Sequence, residues 1–374
     1  MRAPLLSSLV LAFSVAAQIP DPAPAPAFEM APGVVYDAAI PTLDQVTGHA
    51  WGTEISAHRD VEAYIRALEA AAPDRVRVLR YGETWQGRGL YYVAVSKPEH
   101  VSRLPAIQAA MQRLADPRGL DDRAADALID ELPAVGWLAN CVHGDEPSGT
   151  DAALYVLYHL VAAKGDPLVQ QILEETVVLI DPLQNPDGRD RFVFYTRGAR
   201  GRWPDPTPTA AEHSQPWPSG RTNHAMFDMN RDWFALSQPE TEGRVRTFLE
   251  WWPLVYVDLH EMGGNSSYYF PPPAEPVNET VTAAQRAWLR RMYAMRAMRA
   301  NKHTEARALL TEALNEASSL RGNAAHMLQA LLELRADVHD ALGDAPKAVS
   351  DRERAASMRA MLPEGSKEPA GVAA

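Results

Sequence analysis

The stretch CVHGDEPSG, Cys141 to Gly149, places a histidine and a glutamate three residues apart, between an apolar run and a Ser-Gly turn. Imidazole and carboxylate both bind zinc in hydrolytic sites, where three protein ligands leave a fourth position for water or substrate. His143 and Glu146 offer two of the three. His260, in YVDLHEMGG, is the best candidate for the third and again ends a strand-like run. Side chains alternate along a strand, so Asp258 shares the face of His260 while Glu261 points away and is a poor ligand beside it. Taken alone, His-x-x-Glu is a weak signal. His58, His100, His159 and His213 lack a comparable context and read as surface or core residues. Cys141 closes the apolar run VGWLANCV and reads as a small buried residue rather than a nucleophile or ligand.

The elements that must position these groups are legible from periodicity. Val61, Tyr64, Ile65 and Leu68 have helical spacing in a run that starts near Ala57 and is stopped by Pro73. RVRVLRYG and GLYYVAVS read as two strands joined by the turn ETWQGR, and Leu104 to Leu114 as a helix. Val135 to Val142 is a buried strand with the His143 motif at its carboxyl end. Helices over Thr150–Ala163 and Asp166–Glu174 then precede the strand TVVLIDP, and a helix over Glu240–Trp251 precedes the strand LVYVDLH. Strands alternating with helices imply an α/β sheet covered on both faces. In such sheets functional groups collect beyond the carboxyl ends of the strands, where His143 and His260 stand.

Composition narrows the field. The 374 residues carry a net charge of −12, which gives no electrostatic support to nucleic-acid binding. The opening MRAPLLSSLVLAFSVAA has the layout of a signal peptide over residues 1–17, implying a secreted or periplasmic protein. No other run is apolar and long enough to cross a membrane, so no span is expected after signal removal. Residues 18–50 read as a Pro/Ala-rich linker and extended lead-in. Cys141 is the only cysteine, so no disulfide forms within the chain.

Four motifs in order, HGDEPSG, NPDGR, DMNRDW and VDLHEMGG, resemble the zinc carboxypeptidases, the funnelin-type metallopeptidases. YGETWQGRGL also resembles that family's G-x-S-x-x-G-R segment, with Thr84 replacing serine. The resemblance covers about residues 61–276. It implies a mixed α/β sheet, hydrolysis of C-terminal residues from peptides, and Zn2+ held by His143, Glu146 and His260. It also implies that Asn230 and Arg231 hold the substrate's terminal carboxylate, which a guanidinium grips through two parallel hydrogen bonds. Asp228 resembles the carboxylate that orients a zinc histidine. The family further uses an arginine downstream of NPDG to steady the oxyanion; among Arg197, Arg200 and Arg202, Arg200 fits the spacing best. NPDG itself reads as a structural turn. A zinc amidohydrolase of the aspartoacylase or succinylglutamate desuccinylase type shares His-x-x-Glu and D-x-N-R, but NPDG, the signal peptide and the G-x-x-x-x-G-R segment favour the peptidase.

The resemblance then fails. The family needs a glutamate on one of the last strands to take a proton from water, and a tyrosine that covers the substrate. Here the pattern stops near PPPAEPVNET. The domain, residues 51–280, reads as cut short, leaving a sheet edge and an apolar face uncovered. Glu333 in LELR echoes the family tripeptide, yet Met327, Leu331, Leu334 and Val338 give its run helical spacing, so it reads as a solvated helix glutamate. Impaired turnover is the expectation, with a non-catalytic peptide-binding scaffold as a further alternative. Residues 281–362 read as a helical, tetratricopeptide-like tail for a protein partner, with NKHTEARALLTEA and GDAPKAVSDRERA repeating at a 42-residue offset. Residues 363–374 read as a disordered tail.

Overall fold

The structure, a computed structural model, describes residues 30–116, 118–263, 278, 280–318 and 324–362. The signal segment 1–17, most of PPPAEPVN and the tail 363–374 lie outside the described residues. The chain divides into two compact units after Gly263, earlier than the boundary expected at residue 280.

The first unit runs β1 (Val35–Tyr36), α1 (Leu43–Thr47), α2 (His58–Ala71), β2 (Val76–Glu83), β3 (Gly89–Val95), α3 (Pro98–Val101), α4 (Leu104–Ala115) and α5 (Asp122–Glu131). It continues with β4 (Ala134–Asn140), α6 (Pro147–Ala162), β5 (Ala163–Lys164), α7 (Pro167–Glu175), β6 (Thr176–Asp181), α8 (Pro186–Ala199), α9 (Pro239–Trp251) and β7 (Val255–Leu259). Five strands form one mixed sheet in the order β2-β3-β6-β4-β7. The β2–β3 and β3–β6 pairs are antiparallel, while β4 lies parallel to both β6 and β7.

Alternation along the strands splits the core into two layers, as expected for a sheet covered on both faces. Val93, Val95, Val178 and Ile180 face one layer with Val61, Tyr64, Ile65 and Leu68 of α2 and Leu154 and Leu157 of α6. Tyr92, Ala94, Val177, Leu179 and Trp137 face the other, with Ile107 and Met111 of α4 and Trp251 of α9. Truncating a fully buried leucine such as Leu157 costs about 2–5 kcal/mol, so either layer fixes the strand ends firmly. The expected lead-in is packed from Val35 onward: β1 pairs with β5, and Ile40 and Leu43 are buried.

One expectation needs correction, and another finds its place in the sheet. NPDG is not a free turn but the start of α8: Asn185 is its N-cap and its side chain accepts from Gly188 N, with Pro186 in the first turn, where its missing N–H costs nothing. The expected uncovered face is borne by β7, whose Val255 and Val257 are 59% and 39% exposed and which has no strand on its outer side among the described residues.

The second unit comprises α10 (Ala283–Arg299), α11 (His303–Ser318), α12 (Ala325–Ala341) and α13 (Ala345–Ala360). α11 and α13 begin 42 positions apart, and the recurring Ala306, Ala313, Ala348 and Ala355 are all buried. Small side chains at these positions let neighbouring helices approach closely. Arg335 forks onto Asp351 at 2.7 and 2.8 Å, joining α12 to α13. Glu333 is exposed on α12 and accepts from Gln329 Nε2 at 3.0 Å. No described helix is long and apolar enough to cross a membrane.

Candidate metal centre

Two neighbouring parallel strands end side by side, with Asn140 of β4 in register with Leu259 of β7. Just beyond β4 the chain turns at Cys141, whose φ of 58° lies in the left-handed region that non-glycine residues rarely adopt. The residue is wholly buried, burial pushes its thiol pKa up, and Sγ donates to His143 O at 3.2 Å. Cys141 therefore shapes the turn and stays inert as a nucleophile. His143 follows, 2% exposed, and Glu146 is the N-cap of α6. His260 follows β7 directly.

One donor atom each from His143, Glu146 and His260 lie within 4.8 Å of one another. Both imidazoles turn Nδ1 toward the carboxylate: His143 Nδ1 is 2.7 Å from Glu146 Oε1 and His260 Nδ1 is 3.1 Å from Oε2. Each turns Nε2 toward another carboxylate, His143 to Asp228 Oδ1 at 3.0 Å and His260 to Asp258 Oδ2 at 3.0 Å. Asp258 thus shares the face of His260, as alternation requires. Glu261 points elsewhere and accepts from Ser148 N, from Ser148 Oγ at 2.9 Å and from Gly149 N at 3.3 Å, at the start of α6.

Charge is concentrated here. Burial pushes the Glu146 carboxyl up, but hydrogen bonds from His143 and His260 outweigh it and hold its pKa at about 2. Hydrogen bonds to Asp258 and Glu146 raise His260 to about 9 against the opposing effect of burial. Two imidazoles and one carboxylate converging through single atoms, with each outer nitrogen held by a carboxylate, is a donor set suited to a zinc ion.

A guanidinium stands at this centre, and it is not the expected one. Arg221 Nη1 is 3.3 Å from His143 Nδ1 and 3.9 Å from Glu146 Oε1, while its Nε and Nη2 donate to Asp228 Oδ2 at 3.1 and 2.8 Å. Arg200, at the C-cap of α8, instead pairs with Glu54, and Arg197 reaches Ile55 O and Asp60. The helix that NPDG starts carries both away on its last turn, which is why their spacing misleads. Asn230 and Arg231 lie in a short 3-10 turn over Met229–Arg231, capped by the Asp228 side chain. Asn230 Nδ2 is 3.4 Å from His260 Nε2, and the exposed Arg231 donates to Asn230 O at 3.1 Å. Nothing in local periodicity flags Arg221, which stands in an irregular stretch of the chain.

A family model described as zinc carboxypeptidase matches residues 61–318, more than half of the chain. The chain belongs to the zinc carboxypeptidase family. The match runs past residue 276, where the motif resemblance ends, and takes in α10 and α11. Carboxypeptidase D of Rattus norvegicus is 29% identical over 197 residues, covering 50% of this chain and 13% of that protein. Carboxypeptidase 2 of Trichophyton rubrum is 27% identical over 132 residues, covering 35% and 19%. The chain thus spans a small fraction of the length of these relatives. Carboxypeptidase A from Helicoverpa armigera, a solved structure, has a TM-score of 0.36 at 17% identity, covering 59% of this chain and 52% of that one.

Proposed function

We propose that this chain is a secreted zinc metallocarboxypeptidase that removes C-terminal residues from peptides or proteins, with turnover slowed for want of a strand-borne general base. The observation that carries the reading is the convergence of His143, Glu146 and His260 beside Arg221, Asn230 and Arg231. His143, Glu146 and His260 would hold the zinc, which when bound supplies Lewis-acid polarisation of a carbonyl and lowers the pKa of water. Asp228 and Asp258 fix which imidazole nitrogen faces inward. Arg231 and Asn230 grip the terminal carboxylate of the substrate, and so select peptides with free ends. Arg221, rather than Arg200, faces the negative charge that develops on the scissile oxygen.

The slow turnover rests on a different fact. Among the described residues no strand follows β7, and Glu333 is an exposed helix residue in the second unit. General-base assistance is worth about 10²–10⁴-fold, so its loss leaves a residual rate. The amidohydrolase and non-catalytic readings gain no observation. The secreted location rests on the sequence of residues 1–17, and N-terminal sequencing of exported protein should find Gln18 first. The helical unit, with its repeated α11 and α13, is proposed as a tetratricopeptide-like surface for a protein partner.

The test is mass spectrometry of matched peptides with free and amidated C-termini, incubated with zinc-loaded chain. Slow, zinc-dependent loss of the terminal residue from the free form only, unchanged in Glu333→Gln, is expected. Hydrolysis of N-acyl amino acids in place of peptides would favour the amidohydrolase. Fast turnover that collapses in Glu333→Gln would place Glu333 at the site.

A further inference from the structure

Arg221 is presented by a segment with little regular secondary structure around it. Between Ser219 and Asn223 the described backbone–backbone hydrogen bonds are the Asn223 N donation to Phe227 O and the Met226 N donation to Asn223 O, both within the loop itself. What ties this segment to the domain is a set of side chains. Arg191, on α8, donates from Nε to Ser219 O at 2.9 Å and from Nη2 to Thr222 O at 2.6 Å and Asn223 O at 3.3 Å. Its fork therefore straddles Arg221 in the chain. Gln215 accepts from Gly220 N at 2.8 Å and donates to Asp145 Oδ2 at 2.6 Å. Asp145 lies between His143 and Glu146 in the sequence, so Gln215 ties the segment carrying the guanidinium to the segment carrying two candidate ligands.

Close backbone approach makes these bonds possible. A Cβ on Gly220 would lie 2.6 Å from Phe192 Cβ and 2.9 Å from Gly188 O, and a Cβ on Gly188 would lie 2.3 Å from Gly220 O. Glycine on both segments presses the loop onto α8, within reach of Arg191. Asn185 completes the frame, donating to Arg221 O at 3.1 Å and to Val142 O at 3.2 Å.

We infer that Arg191 and Gln215 are positioning residues for Arg221. They fix its backbone on both sides so that the guanidinium faces the metal-ligand cluster without having to be ordered when substrate binds. This rests on the reading of Arg221 given under Proposed function. An arginine side chain ordered in advance spends less of its interaction on immobilisation, and the planar fork by which Arg191 reaches three carbonyls is something lysine cannot reproduce. Neither residue contacts His143, Glu146 or His260 in any described hydrogen bond or ion pair. Arg191 bonds the Arg221 segment, whereas Gln215 also bonds Asp145 of the ligand segment. The zinc content of each variant therefore separates an effect through Arg221 from one through the ligands.

The experiment is calorimetric binding of a peptide phosphonate, whose anionic tetrahedral phosphorus replaces the scissile carbonyl carbon, to the zinc-loaded full chain. The variants are Arg221→Ala, Arg191→Lys, Arg191→Met, Gln215→Ala and the double variants Arg191→Met/Arg221→Ala and Gln215→Ala/Arg221→Ala. Zinc content is measured in each. Arg191→Met and Gln215→Ala should each weaken phosphonate binding roughly 10-fold to 100-fold, Arg191→Lys should fail to rescue, and zinc content should stay at the wild-type value. Once Arg221 is alanine, adding either substitution should cost nothing further. Losses that add to that of Arg221→Ala, or loss of zinc in both Arg191→Met and Gln215→Ala, would overturn the inference and leave these residues a general structural role. If Arg221→Ala binds the phosphonate as tightly as wild type, the reading of Arg221 itself falls, and the inference with it.

Discussion

His143 and His260 follow adjacent parallel strands, yet the two halves of the centre are built differently. The His143 side chain is 2% exposed and follows β4, which is flanked by β6 on one side and β7 on the other. Its partner Asp228 is held in turn by Asn230 N and by two donors of Arg221. The His260 side chain is 29% exposed and follows β7, which has a single neighbouring strand among the described residues. Its partner Asp258 has a buried second oxygen, Oδ1, with no hydrogen-bond partner among the described residues. One half is pre-organised by the core. The other depends on an edge strand and is the weaker point of the assembly.

The strongest way to break this comparison is to remove the outer carboxylates. Asp228→Ala should cost roughly 10–100-fold in zinc affinity, and Asp258→Ala less, toward the lower end of that range, measured by competition with a chelator. Equal losses would erase the distinction between the halves. Next in size, Arg231→Ala should weaken binding of a peptide with a free C-terminus by about 2 kcal/mol, and leave the amidated peptide unaffected in the same titration.

The buried half also carries a pH signature. Burial raises the Asp181 carboxyl to about 7, against the Tyr81 hydroxyl and the nearby Arg244, which favour its charged form. A carboxyl whose value is higher folded than unfolded holds an extra proton in the folded state. Stability from this group is therefore lost as pH rises from about 4 toward about 7, by at most about 1.4 kcal/mol per pH unit. Denaturant midpoints of the zinc-loaded chain at pH 6 and pH 7 should show part of this loss, and Asp181→Asn should reduce the difference. The smallest effect concerns the edge. Val257→Lys charges the exposed face of β7 and should lower light scattering on heating while changing stability by no more than about 0.5 kcal/mol.

Most of the scaffold was legible because it follows period. The apolar residues of α2 and the alternation in β2, β3 and β6 are direct consequences of one buried face or two. The ligand candidates were legible because they sit at strand ends, and the partner of His260 because alternation puts Asp258 on its face. The rest depended on contacts distant in sequence. α5 was not read although its apolar residues gather on one face, and none of its residues is fully buried. The helix begun by NPDG was hidden because Asn, Pro and Gly serve turns and helix starts alike, and that ambiguity favoured Arg200. Arg221 reaches the centre through a loop held by Arg191, Gln215 and Asn185, partners that only the folded chain brings together.

The central claim, that His143, Glu146 and His260 together hold one zinc, is tested most directly by elemental analysis of purified wild type, His143→Ala and His260→Ala after dialysis against trace zinc. About one zinc per chain in the wild type, and sub-stoichiometric zinc in both variants, is the predicted result. Undiminished zinc in the two variants would contradict it.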